Sequence, residues 1–284
     1  MPILTSIEPI RAQLAEAFAA IEGDPLIVHS DLVRIGFAPR GRSLDQQLAD
    51  WVAMILEASQ GRTLLFPTFN YDFARTGVFR PATDPGQVGA LNEHVRRLAP
   101  DERTRTPIFN FAILNRKGFP LDPSTHAFDD DSTFGRLRQV GGGVVFLGAG
   151  PEANTFIHHV EEASAIPYRY LKPFRGVIEV EGEVRPITLF YRVRPAIAGV
   201  VDYDWQRLAD DLRVRGILRA SRLGNARIEF YRAPELYDYW CRRLRDDVHF
   251  LLTPASRLRL AEMYARHGKP LTYDSVEGAQ PAAP

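Results

Sequence analysis

The sequence predicts an α/β domain in which a mixed sheet lies between layers of helices. Short apolar runs at residues 26–29, 63–66 and 144–148 have the length and composition of buried strands. A segment with the apolar spacing of a helix separates the first two runs, and this strand–helix–strand order favours a crossover onto a largely parallel sheet. An alternating pattern farther along predicts an antiparallel hairpin, so we expect the sheet to be mixed.

The helices of the first 60 residues follow from apolar spacing and capping. Thr5–Ile21 carries three charged residues among its apolar ones, which predicts an amphipathic helix rather than a secretory signal. Leu44–Ala58 places apolar residues at positions i, i+4, i+7 and i+8, the pattern of a helix that faces a core. Ser43 is predicted to be its N-cap.

The middle of the chain continues with strands and glycine turns. The strand Val144–Gly148 runs into a glycine-rich loop that is expected to open a helix near Asn154. Residues 176–192 alternate apolar and polar side chains around Gly182, which predicts an antiparallel hairpin with its turn at that glycine. From about Trp205 the remaining third of the chain is predicted to be helical.

Two loops and the chain end are predicted to be irregular. Residues 79–85, which are rich in proline, and residues 100–107 are expected to form long surface loops, which in compact domains often line a site. No internal repeat or low-complexity linker divides the sequence, so we expect a single domain over residues 1–276. Residues 277–284 are rich in alanine and proline and are expected to form a flexible C-terminal tail.

Composition excludes several classes of function. Thirty-five basic and 35 acidic residues cancel, so the chain has no net field to attract nucleic acid. No run approaches the roughly 18 to 20 apolar residues needed to cross a bilayer, so we expect no membrane partner. Cys241 is the only cysteine, which excludes an intrachain disulfide, gives little support to a thiol nucleophile and fits a cytoplasmic location. Arginines scattered through residues 203–266 are interpreted as a solvated helical face, with an anion-binding surface as the alternative.

The segment that says most about chemistry is residues 147–162, where a predicted strand feeds a glycine turn and a helix start. Open α/β sheets bind their ligands at such strand ends. If Asn154 or Thr155 caps the helix, His158 and Glu161 lie three residues apart on one face and can touch. A carboxylate beside a histidine fixes its tautomer and stabilises the imidazolium, so the pair is a candidate general base. Spacing alone leaves an ordinary helical ion pair as the alternative.

The sequence gives little support to a metal or a dinucleotide. His158, His159 and Glu162 lack the HExxH spacing of zinc hydrolases, and no partner motif stands nearby, so we expect no metal. His159 lies about 100° around the helix from His158 and is not expected to share its role. The glycines at 148 and 150 are too few for a dinucleotide fingerprint.

Polar residues also follow the other predicted strands. His29–Leu32 comes at the end of the first strand, where hydroxyls and backbone N–H groups can meet a ligand. A simple helix cap by Ser30 or Asp31 is the alternative. Phe66–Phe69 ends the second strand at the same edge, so three strand ends are expected to converge on one crevice. Arg103–Pro107 forms a basic, hydroxyl-rich loop suited to phosphate, because guanidinium groups pair oxyanions bidentately.

Taken together and in this order, six segments between residues 25 and 175 resemble the aminoglycoside 3-N-acetyltransferase family, also called the antibiotic N-acetyltransferase family. The segments are VHSDLVRIGF (28–37), TLLFPTFNYDF (63–73), VGALNEHVRRL (88–98), RTRTP (103–107), HAFDDDSTFGRL (126–137) and VVFLGAGPEANTFIHHVEE (144–162). The resemblance implies a three-layer α/β/α fold with a central mixed sheet. It also implies acetyl-coenzyme A as the donor and an amine of an amino sugar as the acceptor.

The resemblance assigns roles to individual residues. The NTxxHxxE motif of the family falls on Asn154, Thr155, His158 and Glu161, so His158 would be the general base and Glu161 would orient it. The other positions carried over should line the coenzyme tunnel and its phosphates; with Thr155 they are His29, Ser30, Leu32, Thr68, Arg103 and Thr104. Apart from these carried-over positions, Tyr71, the loop 79–87 and Asp129 are expected to contact the acceptor.

The sequence departs from the family pattern in one loop. The histidine of the family's RSxHP motif is Thr106 here, and the serine three residues after its proline is Asn110. This departure leaves open a different acyl donor and a non-catalytic binding protein. A hydrolase of the same geometry, in which water replaces the amine, is a separate alternative. The acceptor is left open between an aminoglycoside and an amino sugar carried on a nucleotide, and a homodimer is left open as the oligomeric state.

Overall fold

The structure, a computed structural model, describes residues 6–36 and 41–278. The helices are α1 (Glu8–Ala20), α2 (Leu32–Ile35), α3 (Leu44–Ser59), α4 (Phe73–Thr76), α5 (Ala90–Leu98), α6 (Thr133–Gln139), α7 (Ile157–Ala163), α8 (Trp205–Val214), α9 (Ala233–Asp246), α10 (Pro254–His267) and α11 (Tyr273–Glu277). The strands are β1 (Leu26–Ser30), β2 (Leu64–Pro67), β3 (Val78–Phe79), β4 (Phe111–Leu114), β5 (Gly143–Leu147), β6 (Tyr170–Val180), β7 (Glu183–Val193), β8 (Arg219–Leu223) and β9 (Ala226–Arg232).

The central sheet is mixed, as predicted. Its six strands follow the order β4-β2-β1-β5-β9-β8. The three strands predicted from apolar runs, β2, β1 and β5, are parallel neighbours, whereas β4 and β9 run antiparallel to them. The parallel core explains why these runs are apolar on both faces, because a strand covered by helices on both sides has no solvent face.

Side chains of the parallel strands alternate between two hydrophobic cores. Leu26 and Val28 of β1 pack into a core with residues of α1 and α3, including Trp51. Ile27 points the other way, into a core shared with α6, α7, α8 and α9. Helices therefore cover both faces, and the predicted three-layer α/β/α architecture is confirmed. In the part of the chain that the structure describes, no helix is both long enough and apolar enough to span a bilayer.

The first two predicted helices are confirmed. α1 occupies Glu8–Ala20, within the predicted range, whose first residue lies outside the described residues. The Ser43 hydroxyl accepts a hydrogen bond from the Gln46 backbone N–H at 3.3 Å, and the Gln46 side chain accepts one from the Ser43 N–H at 2.9 Å. This reciprocal capping box satisfies two N–H groups at the start of α3.

The predicted hairpin is confirmed and is longer than its pattern suggested. β6 and β7 pair antiparallel along eleven residues each, and Gly182 in the turn has φ +82°. The short β3 adds to the β6 edge, so the hairpin belongs to a second sheet of three strands. A Cβ at Gly176 would lie 2.0 Å from the Gly77 carbonyl oxygen, so glycine is required for this close approach.

The prediction of a helical C-terminal third is wrong for residues 219–232. These residues form β8 and β9, and β9 joins the central sheet beside β5. Ile228 and Phe230 face the core with α1 and α3, while Tyr231 faces the opposite core. This alternation is typical of a strand, but the arginines and glutamate between the apolar residues concealed it. The edge strand β4, only four residues long, was also not predicted.

Two irregular segments differ from expectation. Residues 100–107 do not form a surface loop throughout, because Arg103, Thr104 and Thr106 are buried. Residues 79–85 are not entirely loop either, because Phe79 is buried and belongs to β3. Glu277, placed in the tail by the sequence, ends α11 and accepts hydrogen bonds from the Tyr170 hydroxyl at 2.7 Å and the Lys172 ammonium at 2.8 Å. Residues 279–284 of the predicted tail lie outside the described residues.

The turn after β5 provides a test of this architecture. Gly148 has φ +69°, and a Cβ there would lie 2.6 Å from the Asp31 carbonyl oxygen. Gly61 has φ +77° with nothing within 4 Å of such a Cβ. We expect Gly61→Ala to lower the free energy of unfolding by about 1–2 kcal/mol, the cost of a left-handed conformation, and Gly148→Ala to add about 1–3 kcal/mol for the clash. Urea unfolding measures both; equal losses would contradict the assigned contact.

Candidate active site

The loop after β5 delivers the candidate base to the edge of the sheet. Pro151–Ala153 forms one turn of 3-10 helix, and α7 then begins at Ile157. The prediction that Asn154 or Thr155 caps this helix is wrong, since no side chain makes a cap hydrogen bond there. The Asn154 side-chain oxygen instead accepts a hydrogen bond from the Tyr231 hydroxyl at 2.7 Å. The loop is thereby tied to β9, and His158 becomes the second residue of the helix.

His158 and Glu161 touch, as their spacing predicted. The His158 Nδ1 lies 2.8 Å from Glu161 Oε2. The Glu161 side chain is 1% exposed and the His158 side chain 23% exposed, so the carboxylate is buried while the imidazole keeps access to solvent. A hydrogen bond to a carboxylate places the proton on Nδ1, which leaves the lone pair of Nε2 available to accept a proton. The ring of Phe128 contacts the imidazole edge-on with centroids 5.1 Å apart.

Three further residues surround the Glu161 carboxylate, and sequence reasoning missed all of them. The hydroxyls of Tyr168 and Tyr203 donate hydrogen bonds to Oε1 at 3.0 and 2.8 Å. The Arg169 guanidinium forms an ion pair with Oε2 at 2.9 Å. Tyr168 and Arg169 follow α7 closely in sequence, and this polar pair after Pro167 was a weak indication of a contact with that helix. Tyr203 lies in a distant loop, and nothing in its local sequence indicates a contact with Glu161.

The electrostatics of the pair favour a neutral base beside an ionised carboxylate. Burial raises the pKa of Glu161, but the ion pair with Arg169 and the hydrogen bond with His158 outweigh it and bring the pKa to about 2. Burial lowers the pKa of His158, and the charge of Arg169 lowers it further against the opposing pull of Glu161. The net pKa of His158 lies below its ordinary 6.5, so the imidazole is neutral at pH 7.

His159 plays a separate, structural part, in line with its position around the helix. Its Nδ1 donates to the Phe128 carbonyl at 2.7 Å, and its Nε2 accepts from Arg138 Nε at 3.1 Å. The ring also stacks on Tyr237 with centroids 5.1 Å apart. Both ring nitrogens are occupied inside the protein, so His159 links α7 to α6 and to the segment that carries Phe128.

The predicted strand-end residues meet at one edge, because β1, β2 and β5 are parallel neighbours. His29 is buried and stacks on Phe146 at 5.3 Å, and burial lowers its pKa to about 4. Ser30 ends β1 and is half-buried. Asp31 caps α2, accepting from the Arg34 N–H at 3.3 Å, so the capping alternative holds for Asp31. Leu32 is the first residue of that helix.

Thr68, Arg103 and Asn110 form a buried network. The Arg103 guanidinium donates to Thr68 Oγ1, Asn110 Oδ1 and three carbonyl oxygens, those of Thr68, Pro81 and Asp84. The Thr104 hydroxyl accepts from the Phe111 N–H at 2.9 Å. A phosphate would therefore have to displace an internal partner to reach the Arg103 donors. A cavity of about 310 Å³ lies beside this loop, and Arg80, Arg103, Arg105 and the tip of the β6–β7 hairpin line it.

The two predicted acceptor residues are connected to His158 through Phe128. Tyr71 is 49% exposed, and a series of ring contacts runs from it through Phe109 (6.4 Å) and Phe128 (4.6 Å) to His158 (5.1 Å). Asp129 adjoins Phe128 and lines a cavity of about 430 Å³ whose walls also include Asp130, Asp131, His159, Glu162 and Tyr237. Thr155 is half-buried at the start of the α7 turn.

A neutral histidine held by a buried carboxylate, at the edge where parallel strands of an α/β/α sheet end, is an arrangement that can act as a general base. Residues 27–245 match the family model of the aminoglycoside 3-N-acetyltransferases. The chain belongs to this family and is an N-acetyltransferase, an enzyme of the acyltransferase class.

Curated relatives support this membership. Aminoglycoside N(3)-acetyltransferase VII of Streptomyces paromomycinus is 28% identical over 265 residues, which cover 81% of this chain and 89% of the relative. Aminoglycoside N(3)-acetyltransferase VIII of Streptomyces fradiae is 27% identical over 254 residues, covering 78% and 85%.

Solved structures show the same fold. AAC-IIIb in a binary complex with CoASH has a TM-score of 0.67 at 21% identity, covering 86% of this chain and 98% of that one. A variant of aminoglycoside acetyltransferase AAC(3)-IVa in complex with gentamicin has a TM-score of 0.68 at 21% identity, covering 90% and 95%.

The protonation state of His158 can be measured directly. We expect the ¹⁵N resonances of this imidazole to show a proton on Nδ1 and none on Nε2 at pH 7, because Nδ1 faces Glu161. Its titration should have a midpoint below 6.5, the ordinary value. NMR of ¹⁵N-histidine-labelled protein, with His158→Ala to assign the signal, tests both points. A protonated Nε2 at pH 7 would contradict the assigned geometry.

Proposed function

We propose that this chain transfers an acetyl group from acetyl-coenzyme A to an amine of an aminoglycoside or a related amino sugar, with His158 as the general base. One observation carries the proposal: His158 Nδ1 lies 2.8 Å from a buried carboxylate, in a chain of the aminoglycoside 3-N-acetyltransferase family. The hydrogen bond holds the ring so that Nε2 can accept the proton of the acceptor amine.

The reaction needs one base and no covalent enzyme intermediate. The acceptor nitrogen attacks the thioester carbonyl and forms the C–N bond while Nε2 of His158 takes its proton. The C–S bond then breaks, and the coenzyme leaves as a thiolate that receives a proton. N–H and hydroxyl donors at the strand ends would stabilise the oxyanion. A positioned base of this kind contributes about 10² to 10⁴-fold to the rate.

The donor assignment rests on the strand-end residues and on the family. A structural relative was solved with CoASH, which supports acetyl-coenzyme A as the co-substrate. We place the coenzyme along the edge formed by His29, Ser30, Leu32 and Thr155. Thr68, Arg103 and Thr104 would shape the neighbouring loop, and their internal hydrogen bonds hold that loop beside the 310 Å³ cavity.

The acceptor assignment rests on charge. The curated relatives are named aminoglycoside N(3)-acetyltransferases, and one structural relative was solved with gentamicin. Aminoglycosides are polycations, and Asp129 lines an acidic cavity next to the helix that carries His158. We propose that Asp129 and the exposed ring of Tyr71 contact this acceptor.

Half-buried Cys241 is the lone cysteine, which fits the reducing cytoplasm that we propose as the location.

The first test removes the base. We expect His158→Ala to lower kcat by about 10² to 10⁴-fold with an unchanged circular dichroism spectrum. Glu161→Gln should lower kcat less, because a side-chain oxygen is kept while the charge that supports the imidazolium is lost. Release of free thiol from acetyl-coenzyme A in the presence of an aminoglycoside panel measures both variants. His267→Ala, on α10, is the matched control and should keep parental activity; full activity of His158→Ala would refute the assigned base.

The pH dependence of the reaction gives a second test. Only the neutral imidazole can accept a proton, so activity is present above the pKa of His158 and is lost as the pH falls through it. Because that pKa is lowered below 6.5, the acid limb of kcat/KM should have its midpoint below pH 6.5. A profile of kcat/KM between pH 5 and 8 measures it, and a midpoint above 7 would be inconsistent with this base.

A further inference from the structure

A general base that is paired with a buried carboxylate faces an electrostatic difficulty. A nearby negative charge favours the imidazolium, and a histidine that already carries the proton cannot accept one from the acceptor. Glu161 lies 2.8 Å from His158 and is 1% exposed, so solvent screens its charge little. If Glu161 were the only charge nearby, His158 would be protonated in the resting enzyme. A protonated imidazole cannot accept the proton of the acceptor amine.

Arg169 lies where it can offset this charge. Its Nε forms an ion pair at 2.9 Å with Oε2 of Glu161, the same oxygen that faces His158 Nδ1. The Arg169 side chain is 8% exposed. Its other nitrogens donate to the Tyr203 hydroxyl at 2.6 Å and to the Arg192 carbonyl at 3.1 Å. These bonds fix the guanidinium against the carboxylate from two other parts of the chain.

We propose that Arg169 is a positioning residue that balances the charge of Glu161, so that His158 rests as a neutral imidazole with Nδ1–H toward the carboxylate and Nε2 free. The proposal builds on the role of His158 proposed above and goes beyond the His–Glu pair that the sequence motif contains. Tyr203 completes the arrangement, since its hydroxyl accepts from Arg169 and donates to Oε1 of Glu161.

The other groups around His158 do not replace this charge. Tyr168 and Tyr203 donate hydrogen bonds to Glu161 as neutral hydroxyls, and burial raises the pKa of both phenols. Arg194, which follows β7, acts on His158 through its charge in the same direction as Arg169, but it is exposed and water screens it. Removal of Arg169 therefore leaves a buried Glu161 anion whose charge the imidazole must compensate.

The test measures the proton affinity of His158 without relying on turnover. The ¹⁵N-histidine titration is repeated on Arg169→Gln, which removes the charge, and Arg169→Lys, which keeps it. We expect the His158 midpoint to rise by about one pH unit or more in Arg169→Gln and to stay near the parental value in Arg169→Lys. An unchanged or lowered midpoint in folded Arg169→Gln would overturn the proposal.

A matched control separates this effect from the general loss of a buried arginine. Arg96 forms an ion pair with Glu93 at 2.7 Å on α5, and its side chain is 9% exposed. Arg96→Gln therefore makes the same chemical change at similar burial in a different part of the fold. We expect it to leave the His158 midpoint unchanged; a shift equal to that of Arg169→Gln would mean that loss of stability, rather than local charge, moves the midpoint.

A second pair of variants keeps the test valid if Arg169→Gln does not fold. Glu161→Gln with Arg169→Gln removes both charges together, so no buried charge is left without a partner. Compared with Glu161→Gln alone, the double variant should show a higher His158 midpoint, because it lacks the positive charge of Arg169 next to the imidazole. Equal midpoints in the two proteins would overturn the proposal.

Activity separates failure of this inference from failure of the proposed function. In thiol-release assays the acid limb of kcat/KM should move to higher pH in Arg169→Gln by as much as the NMR midpoint and should not move in Arg169→Lys. An NMR shift in a protein that releases no thiol with any acceptor would support the role of Arg169 and refute the acetyltransferase assignment. If the protein is an active acetyltransferase but the His158 midpoint does not depend on Arg169, the acetyltransferase assignment is supported and the role of Arg169 is refuted.

Discussion

The buried carboxylate of Glu161 is the constraint around which the candidate site is built. A carboxylate with so little access to water has to be paired and hydrogen-bonded, because the cost of taking an ion out of water is several kcal/mol. Here it receives an arginine, two tyrosine hydroxyls and the imidazole of His158. Removing one partner of such a buried pair typically costs about 3–5 kcal/mol. The requirement to satisfy one side chain thus joins α7, the segment before β6 and the loop before α8.

The β6–β7 hairpin has a structural part in this arrangement that its sequence pattern did not show. Its carbonyl at Arg192 accepts a hydrogen bond from Arg169, and its Tyr191 ring contacts Phe109 edge-on with centroids 5.1 Å apart. The small second sheet therefore lies beside the aromatic side chains that contact His158. Phe128, which contacts His158, is connected to this sheet through Phe109.

The loop that departs from the family pattern has an internal explanation. Thr106, at the position of the family's histidine, is buried and accepts a hydrogen bond from the Ser124 N–H at 3.2 Å. Asn110 accepts from both the Thr68 hydroxyl and Arg103 Nε at 2.8 Å. Both residues therefore stabilise the loop from within, because the Thr106 hydroxyl and the Asn110 side-chain oxygen have partners inside the protein. The Asn110 side-chain nitrogen is buried without a hydrogen-bond partner among the described residues.

The sequence by itself determined the features that depend on local spacing. Buried strands appear as apolar runs, the start of α3 as a serine followed by a glutamine, and the His158–Glu161 contact as a separation of three residues on a helix. Ordered motifs were enough to indicate the family. The strand β9 was missed because the scattered arginines of residues 203–266 were interpreted as one solvated helical face, and the short alternation within 226–232 was not separated from it.

Only the tertiary structure decided how the His158–Glu161 pair is held. Arg169 and Tyr203 reach Glu161 from segments whose distance to α7 depends on the packing of the hairpin and of α8, and no local pattern encodes that distance. The same reason explains Arg103, which the sequence placed on a surface loop and the fold buries under Thr68 and Asn110. Charge pairs across the fold form where long-range packing places them, so their partners are known only when the whole chain is folded.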